Sequence, residues 1–161
     1  MESAAQSLCF TDAPPVAMDV ARGVTRLFCR QDLFAICEVP LPNGRRADLM
    51  GIDSKGNLTI VEIKVAKADL LGDCKWTDYL DYCDHFYWAV PPQLASILDR
   101  QCYLPSEAGL IVADRYDAAL VRSAAHRPLA PARRKAELLR FARRAARRLS
   151  AQLDPTLGAG R

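Results

Sequence analysis

The sequence predicts an α/β domain in which a mixed central sheet is flanked by helices, with a core in the order αβββαβ and a basic helix appended after it. Three observations predict this. Short apolar runs rich in β-branched and aromatic residues alternate with helical stretches as far as Ala124. Two hairpin signals, Asn43-Gly44 and Ser54-Lys55-Gly56, join three of those runs as antiparallel neighbours. A helical stretch then separates the third run from the fourth, and a helical crossover is the connection that sets two strands parallel.

The chain has 161 residues, enough for one core; half are apolar and a quarter charged. We expect a flexible N-terminus over residues 1–12, the core domain over 13–127, the basic helix over 128–153 and a flexible tail over 154–161. No apolar run approaches the roughly 18 residues of a membrane span. The first residues lack the basic start and apolar middle of a signal peptide, so a cytoplasmic location is expected. Six cysteines without a CxxC pair predict reduced thiols rather than a disulfide framework or a zinc site; Cys83 and His85 would supply only half of a four-ligand set. With two histidines in the chain and no phosphate-binding loop or Ser-His-Asp pattern, His-based and nucleotide-loop chemistry have little to work with.

Pro14-Pro15 suit the first turn of a helix. Val16, Val20, Val24, Leu27 and Phe28 then form an apolar stripe, with Arg22, Arg26 and Arg30 off it. Leu33 to Leu41 reads as the first strand. Its partner, Arg46 to Asp53, follows the Asn-Gly turn, and Asn57 to Lys64 is the third strand. A loop or frayed turn is expected over 65–72. A helix is expected from a cap at Asp73 to Cys83, with Lys75, Tyr79 and Tyr82 on one face and Trp76, Leu80 and Cys83 on the other. His85 to Val90 is a strand stopped by Pro91-Pro92, Gln93 to Arg100 a short helix, Gly109 to Asp114 a buried strand and Ala118 to Ala124 an edge strand. His126 falls in an exposed loop. The last helix, Ala132 to Leu153, has a thin stripe of Leu138, Ala142, Ala145 and Leu149, and such a stripe predicts weak docking.

Charged residues interrupt the apolar strands at four places: Glu38, Asp48, Glu62 and Lys64. Acids and lysines are rarely buried without a partner or a task. With Ser54 to Gly56 as a three-residue loop, Asp53 faces Asn57, Ile52 faces Leu58, Met50 faces Ile60 and Asp48 faces Glu62. Opposed residues share a face at roughly 4.5–5.5 Å between Cβ atoms, and Lys64, two residues after Glu62, shares that face too. Two carboxylates and an ammonium therefore converge on one spot, as in a metal site with a lysine beside it. Glu38 depends on the first turn. A two-residue loop pairs Val39 with Asp48 and turns Glu38 away; a loop of Asn43 to Arg45 pairs Pro40 with Asp48 and brings Glu38 onto their face.

Asp48 followed by Glu62-Ile63-Lys64 on the next strand resembles the PD-(D/E)XK nuclease signature, with Ala47 where that motif has proline. The run from Glu38 to Asp48, through Asp73 to Tyr79, to Phe86–Pro91 resembles the bacterial MmcB-like DNA repair family over roughly residues 15–125. The resemblance implies a restriction-endonuclease-like core and hydrolysis of DNA phosphodiesters. It implies Mg2+ or Mn2+ on Asp48, Glu62 and the main-chain carbonyl of Ile63, with Lys64 orienting the water or stabilising the transition state; Glu38 joins them as a further acid if its register brings it onto their face. Related nucleases carry Gln-x-x-x-Tyr on the following helix; Lys75 and Tyr79 have that spacing, with lysine in place of glutamine. Many also place an acid on the first helix, where this chain offers only Asp19.

Residues 133–148 hold eight of the 22 basic residues and one acid, Glu137, so this segment carries +7 and the rest of the chain −4. Arg140, Arg143, Arg144 and Arg147 there are candidate DNA contacts that would offset the repulsion between an acidic site and a polyanion. Two other readings fit the same residues. One is an ion-pair cluster of Asp48, Glu62 and Lys64 kept for structure. The other is a non-catalytic DNA-binding accessory protein that recruits repair partners.

Overall fold

A computed structural model of the chain describes residues 15–158. The expected flexible N-terminus, Pro14, Cys9 and the last three residues of the tail lie outside the described residues. Six strands form one mixed sheet in sequence order: β1 (Leu33–Pro40), β2 (Arg46–Asp53), β3 (Leu58–Ile63), β4 (His85–Val90), β5 (Gly109–Ala113) and β6 (Ala118–Arg122). β1, β2 and β3 form an antiparallel meander, β3, β4 and β5 run parallel, and β6 returns antiparallel at the edge. The mixed α/β architecture is the one the sequence predicts.

Helix α1 (Ala17–Arg30) covers one face, burying Val20, Val24, Leu27 and Phe28 against Leu49, Val61, Ala89 and Ile111. Val16 stays outside that stripe because it precedes the first turn, where it is exposed. The other face carries the larger aromatic core, with Phe86 and Trp88 packed on Trp76 at ring-centroid distances of 5.2 and 5.3 Å. The short helix α2 (Lys67–Gly72) occupies the segment expected to be a loop and buries only Leu70.

The segment after α2 departs from expectation in a way that matters for the site. In place of an α-helix from Asp73, a 3₁₀ helix runs from Trp76 to Tyr82. Side chains three apart eclipse in a 3₁₀ helix, so Trp76, Tyr79 and Tyr82 all turn inward together. Lys75 is exposed and leaves the face of Tyr79. The stretch expected as a helix from Gln93 is likewise 3₁₀, over Pro92–Asp99.

The C-terminal helix α3 (Pro131–Leu153) docks more firmly than its alanine content predicts. Its inward residues are Arg134, Glu137, Leu138 and Phe141, while Ala142 and Leu149 face solvent. Arg134 grips both oxygens of the buried Asp84 and donates to the Gly56 carbonyl at 3.0 Å, and the Arg133 guanidinium lies 4.7 Å above the Tyr82 ring. The expected tail begins with a 3₁₀ turn, Pro155–Gly158.

Candidate active-site cleft

The turn after β2 sets the site. Asp53 accepts the N–H groups of Lys55 and Asn57 at 2.9 and 2.8 Å, and Gly56 takes φ +80°. This three-residue loop pairs Ile52 with Leu58, Met50 with Ile60 and Leu49 with Val61. Beyond Leu49 and Val61 the ladder stops, and carboxylates take over from main-chain carbonyls. The Asp48 N–H donates to Glu62 Oε1 at 3.3 Å, and the Ile63 N–H donates to Asp48 Oδ2 at 2.8 Å. The two acids thus stand across from each other at the mouth of a parting strand pair, in the register expected.

Lys64 follows directly. Its ammonium lies 3.7 Å from Glu62 Oε2 and 2.9 Å from Asp73 Oδ2. Asp73 was expected as a helix cap; its carboxylate instead belongs to the site, and one oxygen also accepts the Lys75 N–H at 3.3 Å. The Tyr79 hydroxyl donates to the Arg46 carbonyl at 3.2 Å. These groups, with Arg45 and Arg46 from the hairpin, line a cleft of about 770 Å³. Lys75 is not among them.

Charge in the cleft is unbalanced. Glu62 is 3% exposed, and burial together with the Asp48 carboxylate pushes it up to about 8. Burial raises Asp48 as well, against the pull of the Ile63 N–H and Lys64. Burial works against the charge of Lys64, but Asp73, Glu62 and Asp48 outweigh it, and the ammonium is held above its ordinary value. The same burial and acids push Tyr79 up, so its hydroxyl remains a donor.

Glu38 uses neither of the two expected registers. The Leu41 N–H donates to Arg45 O at 2.7 Å, so the loop is Pro42 to Gly44, and Val39 pairs with Ala47 and Pro40 with Arg46. This brings Glu38 level with Asp48, yet the ladder skips that pair. Glu38 adopts φ +50°, which an L-residue holds at a cost on the order of 1–3 kcal/mol. Its carboxylate is exposed and 3.8 Å from Arg46, and its carbonyl accepts Arg148 Nη2 at 3.0 Å. Asp19 is engaged elsewhere, by the Val16 N–H and Arg115.

Among the described residues, no group of three or more His, Cys, Asp and Glu side chains is placed to hold a metal ion. What the cleft offers is two carboxylates, Asp48 and Glu62, beside the Ile63 main chain. That set fits magnesium, which keeps several waters and commonly takes one or two carboxylates together with substrate phosphates. The crowding of Glu62 by Asp48 is the feature a cation would relieve.

The α3 arginines lie apart from the cleft. Arg140 pairs with the buried Glu137. Among the described residues Arg143, Arg144, Arg147 and Arg148 have no carboxylate within 4.0 Å. Burial, with the guanidiniums of Arg148 and Arg147, lowers Arg144 below its ordinary value. No described helix is long and apolar enough to cross a membrane.

Three residues that shape the site escaped the sequence reading. Asp73 carried no signal beyond its capping character. Arg45 and Arg46 were visible only as a basic pair beside an Asn-Gly turn, although Arg45 reaches Asp78 Oδ2 at 3.0 and 3.1 Å and so ties the hairpin to the 3₁₀ helix.

Comparison with known proteins bears on this arrangement. No curated protein matches the chain. A solved protein of unknown function from Silicibacter pomeroyi is 43% identical, with a TM-score of 0.79; the match covers 92% of this chain and 97% of that one. The family model described as DNA repair protein MmcB-like matches residues 5–156, nearly the whole chain. The chain belongs to the MmcB-like family of DNA repair proteins.

Proposed function

We propose that the cleft hydrolyses phosphodiester bonds in DNA during repair, as a divalent-metal-dependent nuclease of the PD-(D/E)XK type. The observation that carries this reading is the Asp48 and Glu62 pair, opposed at the parting of β2 and β3, with the Lys64 ammonium 3.7 Å from Glu62. A structural ion-pair cluster would be arranged to neutralise its acids. Here burial and Asp48 leave Glu62 with a pKa near 8, a costly state that a fold has little reason to keep for stability alone.

Asp48, Glu62 and the Ile63 carbonyl would hold Mg2+ or Mn2+, whose chemistry is to acidify an attacking water and neutralise charge on the phosphate. Lys64, held above its ordinary value by Asp73, Glu62 and Asp48, would present positive charge toward the pentacovalent transition state. Asp73 aims that ammonium, and Arg45 and Arg46 supply positive charge at the lip. Tyr79, donating to the Arg46 carbonyl, steadies the hairpin strand that carries Asp48. Lys75 is exposed and outside the cleft, so it does not contact the reacting phosphate.

A second reading, a DNA-binding accessory protein without catalysis, draws support from Arg143, Arg144, Arg147 and Arg148 of α3, which are set apart from the cleft and have no carboxylate within 4.0 Å among the described residues. Cleavage of single-stranded, duplex, nicked and flapped DNA in Mg2+ or Mn2+ separates the two. The nuclease reading expects cleavage by the wild-type chain and a loss of about 10²- to 10³-fold in Lys64→Ala. Absence of cleavage on every substrate, with salt-sensitive binding intact, would favour the accessory reading.

A further inference from the structure

The C-terminal helix and the β1–β2 hairpin line a groove of about 870 Å³ that shares no lining residue with the cleft. Its wall is the arginine face of α3. Its floor is apolar: exposed Leu157 with Ala146 and Ala151 lies over the largely buried Val39, Met50 and Phe141. The hairpin borders both: Pro40 lines the groove, while Arg46, its pairing partner on β2, lines the cleft. A polar chain crosses it, from Arg148 to the Glu38 carbonyl at 3.0 Å and from the Glu38 carboxylate to Arg46 at 3.8 Å.

We propose that this groove binds single-stranded DNA and passes the strand across the hairpin to the carboxylate cleft. The proposal rests on the reading of DNA as the partner and adds to it the form of DNA. Three features favour a single strand. A duplex shows its surroundings phosphates and hides its base faces, so it gains nothing from the apolar floor; a single strand offers both phosphates and bases, and the groove presents guanidiniums and apolar surface side by side. The groove also has the size of a small-ligand site, roughly 300–1,000 Å³, not that of a surface shaped to a duplex. Finally, Glu62 is 3% exposed. Duplex DNA is stiff over about 50 nm and cannot dip one phosphate to such depth without bending or opening, whereas a single strand bends freely.

The test is fluorescence anisotropy of the full chain with a labelled oligodeoxythymidylate of about 16 nucleotides, the upper range of single-strand site sizes, and a duplex of equal length. Chelator is present so that no cleavage chemistry is needed. The inference expects the single strand to bind at least about tenfold more tightly, and Arg144→Ala and Arg147→Ala each to reduce the salt slope by about one. Leu157→Ser should weaken single-strand binding several-fold and leave duplex binding unchanged, since Leu157 is exposed and contributes only to the floor. Equal or tighter duplex binding, or no effect of Leu157→Ser on the single strand, overturns the inference while leaving DNA as the partner. Binding of neither form overturns the DNA-binding reading and the inference with it.

Discussion

A buried acid stands near each end of strand β3, and the two are treated oppositely. Asp84, packed at the Leu58 end, accepts the Leu58 N–H at 2.8 Å and the Leu129 N–H at 2.9 Å, and Arg134 contacts both of its oxygens. Burial works against its charge, but Arg134 and the two main-chain donors outweigh it and hold the carboxyl below its ordinary value. Glu62, at the other end, has one main-chain donor at 3.3 Å, a lysine shared with Asp73, and a second acid across from it. Its pKa moves the other way, to about 8. Both side chains are buried, so burial alone separates nothing. The satisfied acid fastens α3 to the sheet; the unsatisfied one is the place where the proposed function would put a cation and a phosphate.

The largest expected effect breaks the satisfied end. Asp84→Ala strands the Arg134 charge and two main-chain donors, and urea unfolding should show a loss of about 3–5 kcal/mol. The opposite substitution at the other end should have the opposite sign. Glu62→Gln, measured in chelator near pH 8, should stabilise the fold by about 1–3 kcal/mol, because it removes a crowded charge. A loss of stability there would show that Glu62 is a structural partner like Asp84.

The two ends also differ in pH dependence. The folded pKa of Asp84 is depressed, so its contribution is complete above the unfolded value and is lost as pH falls through the folded one. Arg134→Gln should therefore flatten the acid limb of a stability profile. The folded pKa of Glu62 is raised, so in metal-free protein stability falls as pH climbs from the ordinary carboxylate range to about 8. Glu62→Gln should remove that decline. The smallest effect concerns the groove: Arg143→Ala and Arg147→Ala should change stability by no more than about 0.5 kcal/mol, since neither has a carboxylate partner among the described residues.

The Glu62 end of β3 was legible because a turn counts residues. Ser54 to Gly56 admits one register, and that register sets Asp48 across from Glu62. The parallel placement of β4 followed equally from its crossover. Glu38 was not legible, because Asn43-Gly44 suggested loops that begin at Asn43, whereas the loop begins at Pro42 and the strain at Glu38 turns its side chain outward. The 3₁₀ helix was hidden by habit of period. Trp76, Tyr79 and Tyr82 recur every three residues, but a stripe read at 3.6 divides them between two faces and promotes Lys75 to a site it does not reach. The α3 stripe was misplaced for a similar reason. Following the alanines passed over Phe141, and the anchor of the helix is an ion pair to Asp84, a partner that lies 50 residues away in sequence. Asp73 shows the same limit, since a carboxylate that could cap a helix and one that clamps a lysine look alike until the chain is folded.

The central claim is that Asp48 and Glu62 form an unfinished cation site. Thermal melting of the wild-type chain and of Asp48→Ala at neutral pH, in chelator and then in excess Mg2+ or Mn2+, tests it without requiring any substrate. The account predicts that the metal raises the melting temperature of the wild type and leaves that of Asp48→Ala unchanged. A wild-type melt indifferent to both metals, or an equal rise in the variant, would contradict it.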